Sequence, residues 1–222
     1  MRMRKKKWAQ PELDSSAFFV KSPEQLRGEW RSRFRYPEND LELELGCGKG
    51  VSTSVMAFSN PGTNFIAVDM ISNVLGSARR NISEIYGDRE PDNILLTAYD
   101  IMGIEKIFSE EDSVSRIHIY FPNPWTQKKK HKKRRLTHPR QLLQYRTFLK
   151  DGGEIWFKTD NDELFQDSLA YFLECGFVQT FITMDLHRSG FEKDYVTEHE
   201  KMFSDEGIPI KFVIMKKEEI VI

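Results

Sequence analysis

The chain of 222 residues has only two cysteines, Cys47 and Cys175. That is too few for a disulfide framework, and with five histidines it gives no trustworthy zinc-ligand spacing. No apolar run is long enough to cross a bilayer, and no apolar signal-like stretch stands near the start. These shortages lead us to expect free thiols in a reducing cytoplasm, with neither a metal nor a membrane involved. An excess of charge is also missing: 33 Lys and Arg against 34 Asp and Glu give a formal net charge of −1. Composition alone therefore does not mark a nucleic-acid partner, but distribution does. Residues 1–7 hold five basic side chains and the eight positions from Lys128 to Arg135 hold seven, with no acid in either stretch. The remainder is strongly acidic, so a polyanion would be repelled over most of the surface and held at one place.

From residue 41 onward, short apolar runs alternate with amphipathic stretches, the pattern of βαβ units and a mainly parallel sheet. Residues 41–45, 64–69, 93–99, 115–121 and 154–160 read as strands, and 50–59, 73–86, 139–149 and 163–175 as helices. Residues 102–108 read as one helical turn or two. Residues 177–186 and 210–216 read as a closing antiparallel pair, with the loop from His187 between them. We expect an α/β fold with a seven-stranded, mostly parallel sheet ending in an antiparallel strand, in one domain from 41 to 222. Residues 1–40 are polar and aromatic without clean periodicity and read as a basic arm, partly disordered or helical near Pro23 to Arg33. The basic start is either disordered or a second contact for RNA.

ELGCGKG, Glu44 to Gly50, lies between the first strand and the first helix. Glycines at Gly46, Gly48 and Gly50 let the backbone turn tightly and let a ligand approach the peptide groups. The spacing matches neither a dinucleotide fingerprint nor a P-loop. Asp69 ends the second strand and Asp100 follows the third, so both project at the carboxyl edge, where open α/β sheets bind ligands. The first is placed to accept from ribose hydroxyls, the second from an adenine amino group, and Glu44 suits a cationic ligand. Together these features resemble the S-adenosyl-L-methionine site of class I methyltransferases, which implies a Rossmann-like three-layer sandwich.

IYFPNPWTQKKKHKKRRLTHP, residues 119–139, with KTDN at 158–161 and YVTEHEKMF at 195–203, resembles the tRNA (guanine-N7)-methyltransferase family over about Leu41 to Lys216. The resemblance implies methyl transfer to a variable-loop guanine of tRNA, position 46 in the family. It implies a substrate grip from Gln127, Lys128, Lys130, His131, Arg134 and Arg135, and substrate contacts from Asp160, Thr197 and Glu200. It also places Asn123 and Asp160 at the chemistry and Asn123 beside the cofactor. The family's Asp in FPDPW is Asn123 here, and its Lys four residues later is Gln127. Asn123 is either a catalytic group or a turn residue before Pro124. Guanine N7 has a lone pair and no proton, so no general base is required, and the expectation is retuned activity. The competing reading is an RNA-binding protein of the same fold that lost turnover through Asn123 and Gln127. His118, inside an apolar strand, reads as a satisfied core histidine. Monomer, homodimer and a partner subunit all stay open.

Overall fold

The computed structural model describes residues 6–192 and 195–218. Helix α1 (Ala9–Asp14) and the short strand β1 (Phe19–Val20) come first, followed by 3-10 turns at Pro23–Leu26 and Trp30–Arg33. The alternating body follows: β2 (Asp40–Leu45), α2 (Val51–Ser59), β3 (Thr63–Asp69), α3 (Ser72–Tyr86), β4 (Ile94–Ala98) and β5 (Val114–Tyr120). It continues through α4 (Pro139–Phe148), β6 (Leu149–Thr159), α5 (Asp162–Glu174), β7 (Phe177–Thr183), α6 (Glu198–Asp205) and β8 (Lys211–Lys217).

The strands form one sheet in the order β1-β4-β3-β2-β5-β6-β8-β7. All pairs from β1 to β6 are parallel, and β8 runs antiparallel to both neighbours. The expected mostly parallel sheet with an antiparallel last strand is present, with eight strands instead of seven. The extra one, β1, pairs Phe19 with Leu96 and Val20 with Thr97 at the outer edge of β4. Residues 6–40 pack against the sheet, with the 3-10 turns at Pro23–Leu26 and Trp30–Arg33 inside the span expected to be partly helical. Trp30 is fully buried, stacks on Phe108 at 5.2 Å and donates its indole N–H to the Ile107 carbonyl. Asp112 accepts the backbone N–H groups of Gly28 and Trp30. Residues 1–5 of the basic start lie outside the described residues, while Lys6 is held to α3 through Ser77.

Strand periodicity gives the sheet two unlike faces. In β2, Leu41, Leu43 and Leu45 point to one side while Glu42 and Glu44 point to the other, and all five are buried. The α5 face is apolar, with Phe157 against Phe165 and Phe172. The opposite face, covered in part by α2, collects Glu42, Glu44, Arg116, His118, Trp156 and Lys158. Buried charge there has to be paired, and the pairs lead to the site.

Candidate functional site

A cavity of about 550 Å³ opens at the carboxyl edge between β2 and β5, walled by Glu44, the turn from Gly46 to Lys49, Tyr120, Phe121, Thr197 and Met202. Gly48 has φ +55°, and a Cβ on it would meet nothing within 4 Å, so the turn leaves open space beside its backbone. Gly50 is required for packing: its φ is +64°, and a Cβ would lie 2.8 Å from Ala78 Cβ on α3. The Glu44 carboxyl is buried and accepts hydrogen bonds from the Ser52 and Thr53 hydroxyls at the start of α2. Burial pushes its pKa up, opposed by those two hydroxyls and by His118 and Lys158 nearby. Cys47 is a buried filler whose thiol is pushed up by burial and by the charges of Asp69 and Glu44.

Asp69 caps the turn. Its Oδ2 accepts from the Gly48 N–H at 3.0 Å and its Oδ1 from the Ile71 N–H at 2.9 Å, and burial pushes its pKa up. Each carboxylate oxygen keeps a further acceptor site for a ligand hydroxyl. Asp100, exposed at the end of β4, accepts from the Met102 N–H at 3.0 Å. Both acids stand on the cavity's edge of the sheet, although neither lines its wall.

The Asn-Pro-Trp turn is strained. Phe121 and Trp125 have φ of 48° and 47°, a region few side chains tolerate away from functional sites. Asn123 Oδ1 accepts from the Trp125 N–H at 3.0 Å, so this carbonyl holds the turn. The basic run then forms a 3-10 helix from Lys129 to Arg134. Lys128, Lys130 and Arg134 are exposed, as is Gln127; His131 sits edge-on to Trp125, and the Arg134 guanidinium lies 5.1 Å from the Trp125 ring. Arg135 differs from the rest. It is fully buried, donates to the Pro124 carbonyl at 2.7 Å, and is paired with Asp167 and Glu163 of α5. This corrects its expected place in the substrate grip: Arg135 anchors the turn to α5, helped by Lys132 on the same two acids.

One end of this segment lines the cavity and the other packs beside the glycine turn that walls it. Phe121 lines it, and Leu136, one residue past Arg135, lies 3.5 Å from where a Gly46 Cβ would stand.

Thr197 and Glu200 form the capping box of α6: the Thr197 hydroxyl accepts from the Glu200 N–H at 3.0 Å, and Glu200 Oε2 accepts in return from the Thr197 N–H. Glu200 is fully buried and bound to Lys158 Nζ at 3.0 Å, with His187 Nε2 3.4 Å from its other oxygen. Glu200, expected at the guanine, has its carboxylate seating α6, while Thr197 and Met202 line the cavity. Lys158 also donates to the Tyr195 carbonyl at 3.2 Å. Asp160, half-buried just past β6, accepts Lys211 Nζ at its backbone carbonyl and does not line the cavity.

Lys158 and Tyr120 are the site residues that motif reading passed over. The signal for Lys158 was a lysine within an otherwise apolar strand, which demands a buried partner. The signal for Glu200 as a cap was Thr-x-x-Glu before a helical run. Among the described residues no group of three His, Cys, Asp or Glu side chains is placed to hold a metal ion, and no helix is long and apolar enough to cross a membrane.

Comparison with known proteins agrees with this geometry. A family profile described as "Putative methyltransferase" matches residues 38–213. A tRNA (guanine-N(7)-)-methyltransferase of Clostridium botulinum (strain Eklund 17B / Type B) is 55% identical over 221 residues, covering 99% of this chain and 100% of its own length. One from Clostridium beijerinckii is 56% identical over 220 residues, covering 98% and 100%. Among solved structures, the 16S rRNA methyltransferase KamB shares the fold with a TM-score of 0.60 at 14% identity, over 88% of this chain and 92% of that one. With near-full-length identity above half, and with the glycine turn and basic segment around one cavity, the chain belongs to the tRNA (guanine-N7)-methyltransferase family.

Proposed function

We propose that the protein methylates N7 of a guanine in tRNA, at variable-loop position 46, with S-adenosyl-L-methionine as donor. One observation carries this reading: the chain from Phe121 to Leu136 leaves the wall of the glycine-lined cavity and comes back against its glycine turn at Gly46, carrying exposed cations and a Trp in between.

The cavity fits such a donor. Gly48 presents open backbone, Asp69 and Asp100 stand at the same edge with free acceptor capacity, and Glu44 gives the wall an acid suited to a positive ligand. Bound there, the donor supplies an electrophilic methyl on a positively charged sulfur. Gly46, Gly48 and Gly50 shape the turn, while Glu44, Asp69 and Asp100 orient the ligand. Lys128, Lys130 and Arg134, with Gln127 and His131, grip phosphates and so set the register of the RNA. Trp125 offers a ring for a base to stack on. Thr197 and Met202 narrow the mouth and exclude water from the transfer.

Guanine N7 attacks without losing a proton, so approach and electrostatic compensation govern the rate. Asn123 serves this by holding Trp125, and the Asp160 carboxylate, just past β6, accepts from the guanine edge. A target base must leave its stack to reach a recessed methyl, which favours a looped nucleotide. The test is mass spectrometry of nucleosides and of mapped nuclease fragments from unmodified tRNA incubated with purified protein and donor. Appearance of 7-methylguanosine at the variable loop supports the proposal, and tight tRNA binding without it favours an RNA-binding protein that lost turnover.

A further inference from the structure

Glu42, His118 and Tyr120 form a hydrogen-bonded chain that none of the roles above uses. β2 and β5 align with Glu42 opposite Arg116 and Glu44 opposite His118, so these side chains share the polar face of the sheet. Glu42 Oε1 accepts from the Arg116 guanidinium at 2.8 Å, and its Oε2 lies 2.7 Å from His118 Nε2. His118 Nδ1 lies 2.6 Å from the Tyr120 hydroxyl. His118 is 1% exposed, so water does not compete for either nitrogen. Tyr120 lines the cavity, and Lys158 Nζ stands 4.7 Å from its ring centroid.

The acid end fixes the direction of the protons. Burial raises the Glu42 carboxyl, but the His118 hydrogen bond and the Arg116 guanidinium outweigh it and hold the group below the usual carboxylate range. A carboxylate only accepts, so Nε2 donates to Glu42, and in the tautomer protonated there Nδ1 is left as the acceptor. The Tyr120 hydroxyl then donates to Nδ1. Linked hydrogen bonds polarise one another, and a phenol donating to a base backed by a carboxylate gains electron density on its ring. Such a ring attracts cations more strongly. Lys158 already exploits this, and the cavity beside it is the one assigned to a sulfonium.

We propose that Tyr120 is a second residue, beside Glu44, by which the cavity distinguishes the positively charged methyl donor from its neutral demethylated product, and that Glu42 and His118 are positioning residues that polarise it. The proposal rests on the donor reading above. Donor and product share every other group, so most other interactions cancel when their affinities are compared. Loss of the aromatic wall alters the ratio, whereas a merely structural defect lowers both affinities alike.

Titration calorimetry with S-adenosylmethionine and S-adenosylhomocysteine tests this on the full chain. Tyr120→Leu is expected to weaken the donor about tenfold and the product less than about twofold, within the usual range of a cation held over an aromatic ring. Glu42→Gln is expected to reduce the donor-to-product preference about threefold in the wild-type background and to leave it unchanged in Tyr120→Phe, where the relay has no hydroxyl to act on. Equal losses for both ligands in Tyr120→Leu overturn the proposal, as does a Glu42→Gln effect that persists undiminished in Tyr120→Phe. If Tyr120→Leu does not fold, the Glu42 and Tyr120→Phe cycle decides alone. Wild-type protein that binds neither ligand refutes the donor reading and this assignment with it, whereas binding of both with a preference indifferent to the variants overturns this assignment alone.

Discussion

Lys158 and Glu200 are both fully buried and 3.0 Å apart, so each is the other's compensation for lost water. Removing one partner strands a charge. Lys158→Met alone is expected to destabilise the protein by about 3–5 kcal/mol, while Lys158→Met with Glu200→Leu recovers most of that, as urea unfolding would read. Glu44 behaves in the opposite sense. Burial raises its pKa, so its proton is held more tightly in the folded state and its charged form lowers stability above the ordinary carboxylate range. Glu44→Gln should therefore unfold at an equal or higher temperature at neutral pH while binding the methyl donor about tenfold more weakly, the usual effect of removing one charged partner. Asn123→Asp keeps an oxygen for the Trp125 N–H, so stability should stay within about 0.5 kcal/mol. Single-turnover methylation of tRNA should become faster as negative charge returns beside the reaction. At this scale the sequence was readable where chemistry is local, as in the glycine turn and Asp69. It misled at Arg135, which sits among phosphate-seeking neighbours in sequence. Its true partners, Glu163 and Asp167, lie 28 and 32 residues away on another helix.

The basic 3-10 helix divides its work between two sides. Lys132 and Arg135 clasp α5, while Lys128, Lys130 and Arg134 face solvent. Replacing each exposed cation with Ala should weaken tRNA binding and reduce the slope of log affinity against log salt by about one for each phosphate no longer neutralised, as filter binding over a salt series would measure. The clasp has its own pH dependence. Lys132 foremost, with Arg135, holds Glu163 below its usual range, and in Asp167 the same two cations outweigh the upward push of burial. A depressed folded pKa means the clasp contributes fully above the unfolded value and is lost as pH falls through the folded one. Amide exchange in residues 129–135, corrected for intrinsic rate, should rise below about pH 4 and do so less in Lys132→Ala. The long strands and helices were legible because apolar periodicity survives over five or more residues. α6 was not, because its eight residues carry few apolar side chains and only the Thr197 and Glu200 cap marks it.

Over the whole molecule, the parallel order of the central strands followed from their alternation with helices, and the position of β8 between β6 and β7 is a tertiary outcome that no single segment encodes. The packing of residues 6–40 was the least legible part of the sequence. β1 has two residues, too few for any period, and Trp30 is buried by packing against Ile107 and Phe108, which lie far along the chain. Deleting residues 6–35 should uncover the edge of β4 and empty the Trp30 site, giving a protein that aggregates on expression. The path from Phe121 to Leu136 has a further consequence. A ribbon with one foot on the wall of the hollow and the other against its glycine turn, riveted to α5 near its return, holds its base still while its outer bend can lengthen or change charge. Reach toward different RNA shapes can therefore diverge among relatives without disturbing the chemistry at the base of the ribbon.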